Sequence, residues 1–413
     1  MQHKEVDCAT ISVANSTGMG GTATADEVHR SLRIRKGRSC IAGIVRYGLC
    51  GAAIALLLFH PATADPGTIP TGFLGASTLG SNGDQNPYGV TFVPPGFPSG
   101  GQLSSGNILV SNFNNGGAFP TGNIQGTGTT IAQVTPNGGT STFFSEPFIA
   151  NQQGGLTTAL GVLKRGFVVV GQVPNSTGDQ FGVPTSGSLL FIDKTGTPVT
   201  YTNPDLQGPW DLAIEDDFDH AKIFVSSVLN GTVVRLNVSV GSTVTVNSVT
   251  VIANGYAHGL DPTVFALGPT GLAYDQENDI LYVASTQDNE IFKILNAGAR
   301  TTPVSKGIVV FNDPRFLRGP LGLVLAPNGN LLAANGDAPT VNPPPTTPPP
   351  LPSEIVEFTK EGNFIGQLSI DPVAGAAFGI AIVQGNDSRV HFAAVNDDDA
   401  DLIMLNLNNQ NIQ

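Results

Sequence analysis

The sequence predicts an all-β fold, a six-bladed β-propeller of four-stranded antiparallel blades. The prediction depends on a short motif: a small or proline-type residue, an apolar residue, Gly (once Asp) and an aliphatic residue. The motif occurs six times, at 87–90, 159–162, 209–212, 269–272, 320–323 and 377–380. Its Gly or Asp positions recur at intervals of 50 to 72 residues, close to the length of one propeller blade. Strand-like segments and turns, without a helical pattern, fill the intervals.

Each copy of the motif begins a group of short strands separated by turns. The fourth copy is the clearest, with strands predicted at 271–274, 280–284, 290–295 and 307–311. The last copy is followed by too few residues for four strands. We therefore expect the segment 72–79 to supply the missing strand. Pairing this N-terminal strand with the last blade would close the ring and remove its open edges.

The first 64 residues form a signal peptide region that precedes the fold. A basic run at 30–46 leads into the apolar stretch 47–59, and Ala62-Thr63-Ala64 follows as a cleavage site, which is the order of a secretory signal. Residues 1–29 are interpreted as an N-terminal extension from an early start codon. We expect residues 65–413 to form a single propeller domain, secreted or periplasmic, with a proline-rich loop at 338–352 inside blade five.

Charge and cysteine usage exclude several classes of function. The chain has a formal net charge of −13, and residues 65–413 carry 12 basic against 28 acidic residues. Such a surface repels phosphate backbones and anionic lipids, so we expect no nucleic-acid partner and no membrane insertion after signal cleavage. All three cysteines precede Ala64, which leaves the propeller without a thiol nucleophile or a disulfide. We expect a monomer.

Candidate binding residues cluster at one mouth of the central channel. In an up-and-down blade, the turn between strands two and three lies on the same face as the connection into strand one, so both surround this mouth. The candidates there are Tyr88, Asn112, Trp210, Asp211, Asn230, His258, Asn289 and Asn335.

Each type of candidate also has a structural interpretation. Turn asparagines bond their own backbone. The apolar residues Tyr88, Leu160, Trp210, Leu321 and Phe378 either pack between blades as core or form an apolar collar at the mouth. Asp211, where the other copies have Gly, either bonds a neighbouring turn or holds an ion or substrate. His258 is either a general base or a solvated loop residue.

The turn of the last blade carries more carboxylates than a turn needs. Asp397, Asp398, Asp399 and Asp401 lie within five residues, and clustered carboxylate oxygens are ligands that Ca²⁺ prefers. The spacing lacks the Gly and the terminal Glu of an EF-hand loop. Calcium is the one candidate cofactor. No nucleophile elbow, phosphate loop or His-Glu-x-x-His motif is present, so the sequence predicts no catalytic residue.

Residues 268–275, 280–285 and 288–291 resemble an NHL-type propeller repeat, and weaker copies extend the resemblance over 86–407. The chain is especially similar to exported bacterial proteins of that class, through the segments 86–90, 110–115, 125–130 and 208–212. The resemblance implies a binding platform. We therefore expect a secreted, non-catalytic propeller that binds a small ligand or a protein partner at the channel mouth.

The alternative is a calcium-dependent hydrolase of the gluconolactonase-like lactonase or esterase type. Hydrolases of that type are similar in architecture and imply a central Ca²⁺ held by Glu, Asn and Asp. The corresponding positions here are Gln207, Thr270 and Ser285, none of which matches the ligand type.

Overall fold

All regular structure in the described part of the chain is β-strand. The structure is a computed structural model that describes residues 74–337, 354–384 and 389–408. Within these ranges, six four-stranded antiparallel sheets form the blades of a propeller and no helix is present, which confirms the predicted fold class. No segment there is a helix long and apolar enough to cross a bilayer. The predicted signal region 1–64 and the proline-rich loop 338–352 lie outside the described residues.

The strands follow one another around the ring in chain order, except for the first. Strand β1 (Leu74–Ser77) belongs to the last blade. Blade one contains β2 (Gln85–Phe92), β3 (Ile108–Asn114), β4 (Thr130–Val134) and β5 (Thr140–Ser145). Blade two contains β6 (Leu156–Leu163), β7 (Phe167–Gln172), β8 (Ser188–Asp193) and β9 (Pro198–Tyr201). Blade three contains β10 (Pro209–Asp216), β11 (His220–Ser227), β12 (Thr232–Val240) and β13 (Val244–Asn254).

A small hairpin, β14 (Gly259–Asp261) and β15 (Phe265–Leu267), separates blades three and four. Blade four contains β16 (Pro269–Asp275), β17 (Ile280–Ser285), β18 (Glu290–Leu295) and β20 (Ile308–Phe311), while β19 (Val304–Ser305) pairs with β13. Blade five contains β21 (Leu323–Leu325), β22 (Leu331–Ala334), β23 (Ile355–Phe358) and β24 (Phe364–Leu368). Blade six contains β25 (Ala377–Gln384), β26 (Arg389–Asn396), β27 (Asp401–Asn408) and β1.

The N-terminal strand closes the ring, as predicted. Strand β1 pairs antiparallel with β27, from Leu74 opposite Met404 to Ser77 opposite Asp401. Just beyond it, the backbone amide and the hydroxyl of Thr78 both donate to the carbonyl of Ala400, at 3.0 and 2.8 Å. Since β27 would otherwise end the sheet, this pairing satisfies an edge that could template aggregation.

Six clusters of buried apolar side chains fill the contacts between neighbouring blades, and they form the core of the protein. Between blades one and two, for example, Leu109 and Ile131 pack against Val168 and Val170, and all four are fully buried. Each inner strand also contacts the inner strands of the blades on both sides, and β25 contacts β2. The inner strands therefore surround a narrow central channel.

The recurring glycine of the motif is required by the close approach of the inner strands. A β-carbon at Gly379 would lie 2.2 Å from the carbonyl oxygen of Tyr88 in the next blade. Asp211 replaces this glycine in blade three. Its Oδ2 accepts a hydrogen bond of 2.9 Å from the amide of Leu272 in blade four, and its Oδ1 accepts one of 2.8 Å from the amide of Leu212.

Replacing Gly379 with alanine is expected to destabilise the ring by about 1–3 kcal/mol, because the new methyl group meets backbone that cannot move without shifting a blade. Gly366 in β24 is the matched control, since a β-carbon there meets nothing within 4 Å. We expect Gly366→Ala to stay within about 0.5 kcal/mol of the wild type. Urea unfolding of both variants measures the difference, and equal midpoints would contradict the packing account.

Candidate active site

An apolar plug closes the predicted mouth of the channel. Four of the residues that precede the recurring Gly or Asp, namely Tyr88, Trp210, Leu321 and Phe378, are at most 7% exposed. The Tyr88 ring lies 4.7 Å from that of Phe378 and 5.9 Å from that of Trp210, measured between centroids. These residues were predicted either to pack as core or to form an apolar collar. In the structure their side chains are buried against one another, as core.

Two further aromatic rings complete the plug. Phe113 stacks on Tyr88 at 4.5 Å, and Phe265 of the hairpin β14–β15 meets Phe113 edge-on at 5.6 Å. Leu160, which was also predicted to belong to this collar, lies instead in the cluster between blades one and two. The plug consists of Tyr88, Phe113, Trp210, Phe265, Leu321 and Phe378.

The plug separates two cavities that share no lining residue. The channel cavity, of about 170 Å³, lies among the inner strands and is lined by Thr158, Asp211 and aliphatic residues. The mouth pocket, of about 210 Å³, lies on the other side of the plug, with Tyr88 and Phe378 in its wall. Asp211 therefore faces the channel and does not line the mouth, which corrects the sequence-based prediction.

Three carboxyl groups line the mouth pocket: Asp398, which is exposed, and Asp337 and Asp397 from adjacent blades. Asp337 follows strand β22 of blade five and is 2% exposed. Asp397 follows strand β26 of blade six and is partly buried. Both lie in the turns between the second and third strands, and backbone hydrogen bonds fix these turns: the Asp337 amide donates to Gly319, and the Asp397 amide donates to Ala376.

Burial and mutual repulsion disfavour the ionised form of both groups. Burial raises the pKa of Asp337 to about 8, and the charges of Asp261 and Asp397 add to the effect. Burial also raises the pKa of Asp397 to about 7, with a contribution from Asp398. Both pKa values are raised toward neutral pH, where a pair of carboxyl groups can act as acid and base.

Tyr88 and Asn86 add neutral polar groups to the same pocket. Burial, together with the charges of Asp337 and Asp397, raises the pKa of Tyr88 well above its usual value, so its hydroxyl stays protonated. The side-chain oxygen Oδ1 of Asn86 is buried and has no hydrogen-bond partner within the described residues. Asn86 also has a positive φ of 59°, a strained conformation that is common at functional sites.

Most of the asparagines predicted at the mouth hold the segments between blades in place. Asn335 accepts a hydrogen bond from the amide of Arg318 and donates one to the carbonyl of Phe316. Asn289 likewise accepts a hydrogen bond from the amide of Gly319 and donates one to the carbonyl of Leu317. Their side chains bond the segment 316–319 between blades, which is a structural role other than the predicted bonding within their own turns.

The remaining predicted mouth residues do not line the pocket. The side chain of Asn112 is fully buried and donates to Thr78 and Thr130. Asn230 accepts a hydrogen bond from the hydroxyl of Thr232 within its own turn. His258 is exposed, with Nδ1 at 2.9 Å from the carbonyl oxygen of Tyr256.

The four aspartates of the last turn do not converge on one point. Asp397 and Asp398 line the mouth pocket, Asp399 is exposed, and Asp401 lies in β27 opposite Ser77 and Asn396. Within the described ranges, no group of three or more His, Cys, Asp and Glu side chains is arranged to hold a metal ion. The predicted calcium site of this turn is therefore not assembled by these four residues.

The positions that correspond to the calcium ligands of gluconolactonase-like hydrolases do not fit a central ion either. The Thr270 hydroxyl lies 3.0 Å from that of Thr286 and donates to Pro320, and the Ser285 hydroxyl donates to Asp288. The side-chain amide of Gln207 donates a hydrogen bond to the backbone carbonyl of Pro204. None of these positions supplies a carboxylate, and Trp210 of the apolar plug follows Gln207 by only three residues. No catalytic step is derived through such an ion.

Comparisons with known proteins find similar structures only. No protein-family model matches the chain, and no curated protein matches it. A solved calcium-binding protein, regucalcin from Agrobacterium tumefaciens, is similar at 14% identity, over 82% of this chain and 95% of that one, with a TM-score of 0.47. A gluconolactonase from Xanthomonas campestris is similar at 15% identity, over 82% and 99%, with a TM-score of 0.45.

The expectation of a non-catalytic binding platform is corrected. The solved structures similar to this chain include two described as gluconolactonases and one described as a glucose dehydrogenase, which are names of enzymes. At 13 to 15% identity and TM-scores below 0.5, no activity and no residue role passes from those proteins to this one. The similarity to NHL-type repeats remains a prediction.

Proposed function

We propose that the protein is a hydrolase of lactones or related esters, with its active site in the mouth pocket. The observation that carries the proposal is that the carboxyl groups of Asp337 and Asp397, from adjacent blades, line one pocket in which burial raises the pKa of each. Hydrolysis of an ester bond needs a base to activate water and an acid to protonate the leaving oxygen. We assign Asp397, the less buried of the two, as the base and the more deeply buried Asp337 as the acid, because burial disfavours the ionised form.

In this mechanism the Asp397 carboxylate accepts a proton from water as the water oxygen attacks the carbonyl carbon. The carbonyl π electrons move to the carbonyl oxygen, which accepts a hydrogen bond from the neutral Tyr88 hydroxyl. The intermediate then expels the ring or alkoxy oxygen, which takes its proton from the Asp337 carboxyl group. Proton exchange with solvent restores the starting state.

The size of the pocket favours a small reacting group. Its volume of about 210 Å³ lies below the roughly 300–1,000 Å³ of most ligand pockets, which suits a lactone ring. The apolar plug below keeps the reacting group away from the channel and lowers the local polarity. Low polarity strengthens the interactions of the carboxyl pair with the developing charges.

Continuous titration of released acid from a panel of γ- and δ-lactones and p-nitrophenyl esters tests the proposal, using the protein from residue 65 onward. We expect hydrolysis of at least one lactone, with release of the hydroxy acid and no change on addition of EDTA or Ca²⁺. Complete inactivity on all members of the panel would overturn the proposal. Loss of activity with EDTA and recovery with Ca²⁺ would show that an ion takes part.

A further inference from the structure

A larger groove opens beside the mouth pocket, with a volume of about 610 Å³. Three separate segments build it: the loop 119–125 of blade one, the insertion 175–184 of blade two and the hairpin region 260–265. Gln125 and Thr263 line both this groove and the mouth pocket. The two cavities are therefore neighbours, and a single ligand can occupy both.

The groove presents apolar side chains that a folded protein would ordinarily bury. Phe181 is 81% exposed, Phe119 64%, Leu260 61% and Val183 49%. Four large apolar residues from three segments form one concave surface here, whereas exposed apolar residues elsewhere on a protein are usually scattered. This surface lies beside the proposed catalytic pair, and its volume is within the range of small-ligand sites.

Hydrogen bonds between the three segments hold the groove in shape. Asn175 is 2% exposed; its side chain donates to the carbonyls of Gln125 and Asp179 and accepts from the amides of Thr177 and Gly178. The Gln125 side chain donates to the carbonyl of Thr263 in the hairpin region, at 2.9 Å. The groove is thus largely formed before a ligand binds, which lowers the entropy cost of binding.

The charged residues of the groove select against anionic ligands. Asp179 and Asp261 lie in its wall, and the chain as a whole is acidic. Among the residues that the structure describes, no lysine or arginine lines either cavity. A neutral apolar chain or ring therefore fits this surface better than a carboxylate or a phosphate does.

We infer that the substrate is a neutral lactone or ester carrying an apolar arm, an alkyl chain or an aryl group, that lies in the groove while the carbonyl lies in the mouth pocket. This inference rests on the proposed hydrolase function. Each methylene buried in the groove would raise kcat/KM about fourfold until the groove is filled.

Two series of probes test the inference separately from the hydrolase proposal. The first is a series of γ-lactones with alkyl arms of two to ten carbons, scored by kcat/KM. The second is a series of 2-alkylcyclopentanones of the same arm lengths, which keep a ring and a carbonyl but cannot be hydrolysed, scored by calorimetric Kd. We expect about a fourfold gain per methylene in both series, up to a plateau.

Variants of exposed groove residues identify the surface responsible. Phe181→Ala and Val183→Ala are expected to weaken the longest-armed probes tenfold or more and to leave the shortest unchanged. Val199→Ala in β9 is the matched control, because Val199 is 58% exposed but lies outside the groove. All three positions are exposed, so none of these changes threatens the fold.

The outcomes separate the two claims. Hydrolysis of lactones without dependence on arm length would overturn the inference and leave the hydrolase proposal standing. Arm-dependent binding of cyclopentanones without hydrolysis of any lactone would overturn the hydrolase proposal and support the groove as a binding site for apolar arms. A concentration-dependent dimer that Phe181→Ala abolishes would show that a second copy covers the groove, which would also overturn the inference.

Discussion

Asp337→Asn and Asp397→Asn are each expected to lower kcat for lactone hydrolysis by about 10²- to 10⁴-fold, the usual contribution of a general acid or base. Asparagine has nearly the size of aspartate but can neither donate an acidic proton nor accept one. The loss should appear in kcat, because proton transfer occurs in the transition state and contributes little to substrate binding. Steady-state kinetics on the fastest lactone of the panel measures both constants.

Asp399→Asn is the matched control for Asp397→Asn. Asp399 lies two residues further along the same turn, but it is exposed and does not line the mouth pocket. We expect its kcat to stay within twofold of the wild type. If Asp399→Asn lost as much activity as Asp397→Asn, general disturbance of the turn would explain the loss, and the assigned role of Asp397 would be wrong.

The stability of the fold is expected to fall as the pH rises from about 4 to about 8. Because the pKa of Asp337 is raised from 3.8 to about 8, the folded state binds more protons than the unfolded state over this window. Ionisation therefore costs folding free energy, on the order of 5 kcal/mol for Asp337 once the pH exceeds both values. Asp397, whose pKa is raised to about 7, adds to the same trend up to that pH.

Asp337→Asn should remove much of this loss, because a neutral amide pays no cost of ionisation in the buried site. We expect this variant to melt at a higher temperature than the wild type at pH 8.5 and close to it at pH 4.5. Asp217→Asn is the control, since Asp217 is exposed in a turn of blade three. The variant would thus be more stable at alkaline pH but much less active, which separates a catalytic role from a structural one. Lower stability of Asp337→Asn at pH 8.5 would contradict the burial account.

The sequence was sufficient for the architecture because propeller blades are local units. The third strand of blade four, predicted at 290–295, is observed at Glu290–Leu295, and the predicted closing segment 72–79 contains β1 (Leu74–Ser77). Hairpin-connected strands depend on turn residues and alternation within about 50 residues, and both can be seen in the sequence. Closure of the ring by the N-terminal strand could be predicted because the residues of the last blade supply only three strands.

The site was less accessible to sequence reasoning, because it depends on which side chains converge across blades. Asp337 lies two residues after Asn335, in the same turn, and the sequence alone favoured Asn335 as the binding residue. In the structure Asn335 bonds Phe316 and Arg318, whereas Asp337 lines the mouth pocket. The one available signal was a carboxylate in the same turn.

The plug and the groove could not be predicted, since they need contacts between distant segments. Phe265 reaches Phe113 from a hairpin inserted between blades three and four. That insertion interrupts the repeat and has no counterpart in the other copies. Gln125 and Thr263 are joined by a hydrogen bond although 138 residues separate them. The sequence repeat shows only the features that all six blades have in common. The plug and the groove are formed by segments that differ from blade to blade.

The pH dependence of kcat/KM tests the central claim most directly, because it reports the ionisation of the free enzyme. For the wild type we predict a bell-shaped profile with limbs near pH 7 and pH 8, the values of the interacting pair. The acidic limb reflects protonation of the base, and the alkaline limb reflects loss of the acidic proton. In Asp337→Asn the residual activity should lose the alkaline limb. A wild-type profile without these limbs, or an unchanged bell in Asp337→Asn, would contradict the assignment of the carboxyl pair as the catalytic acid and base.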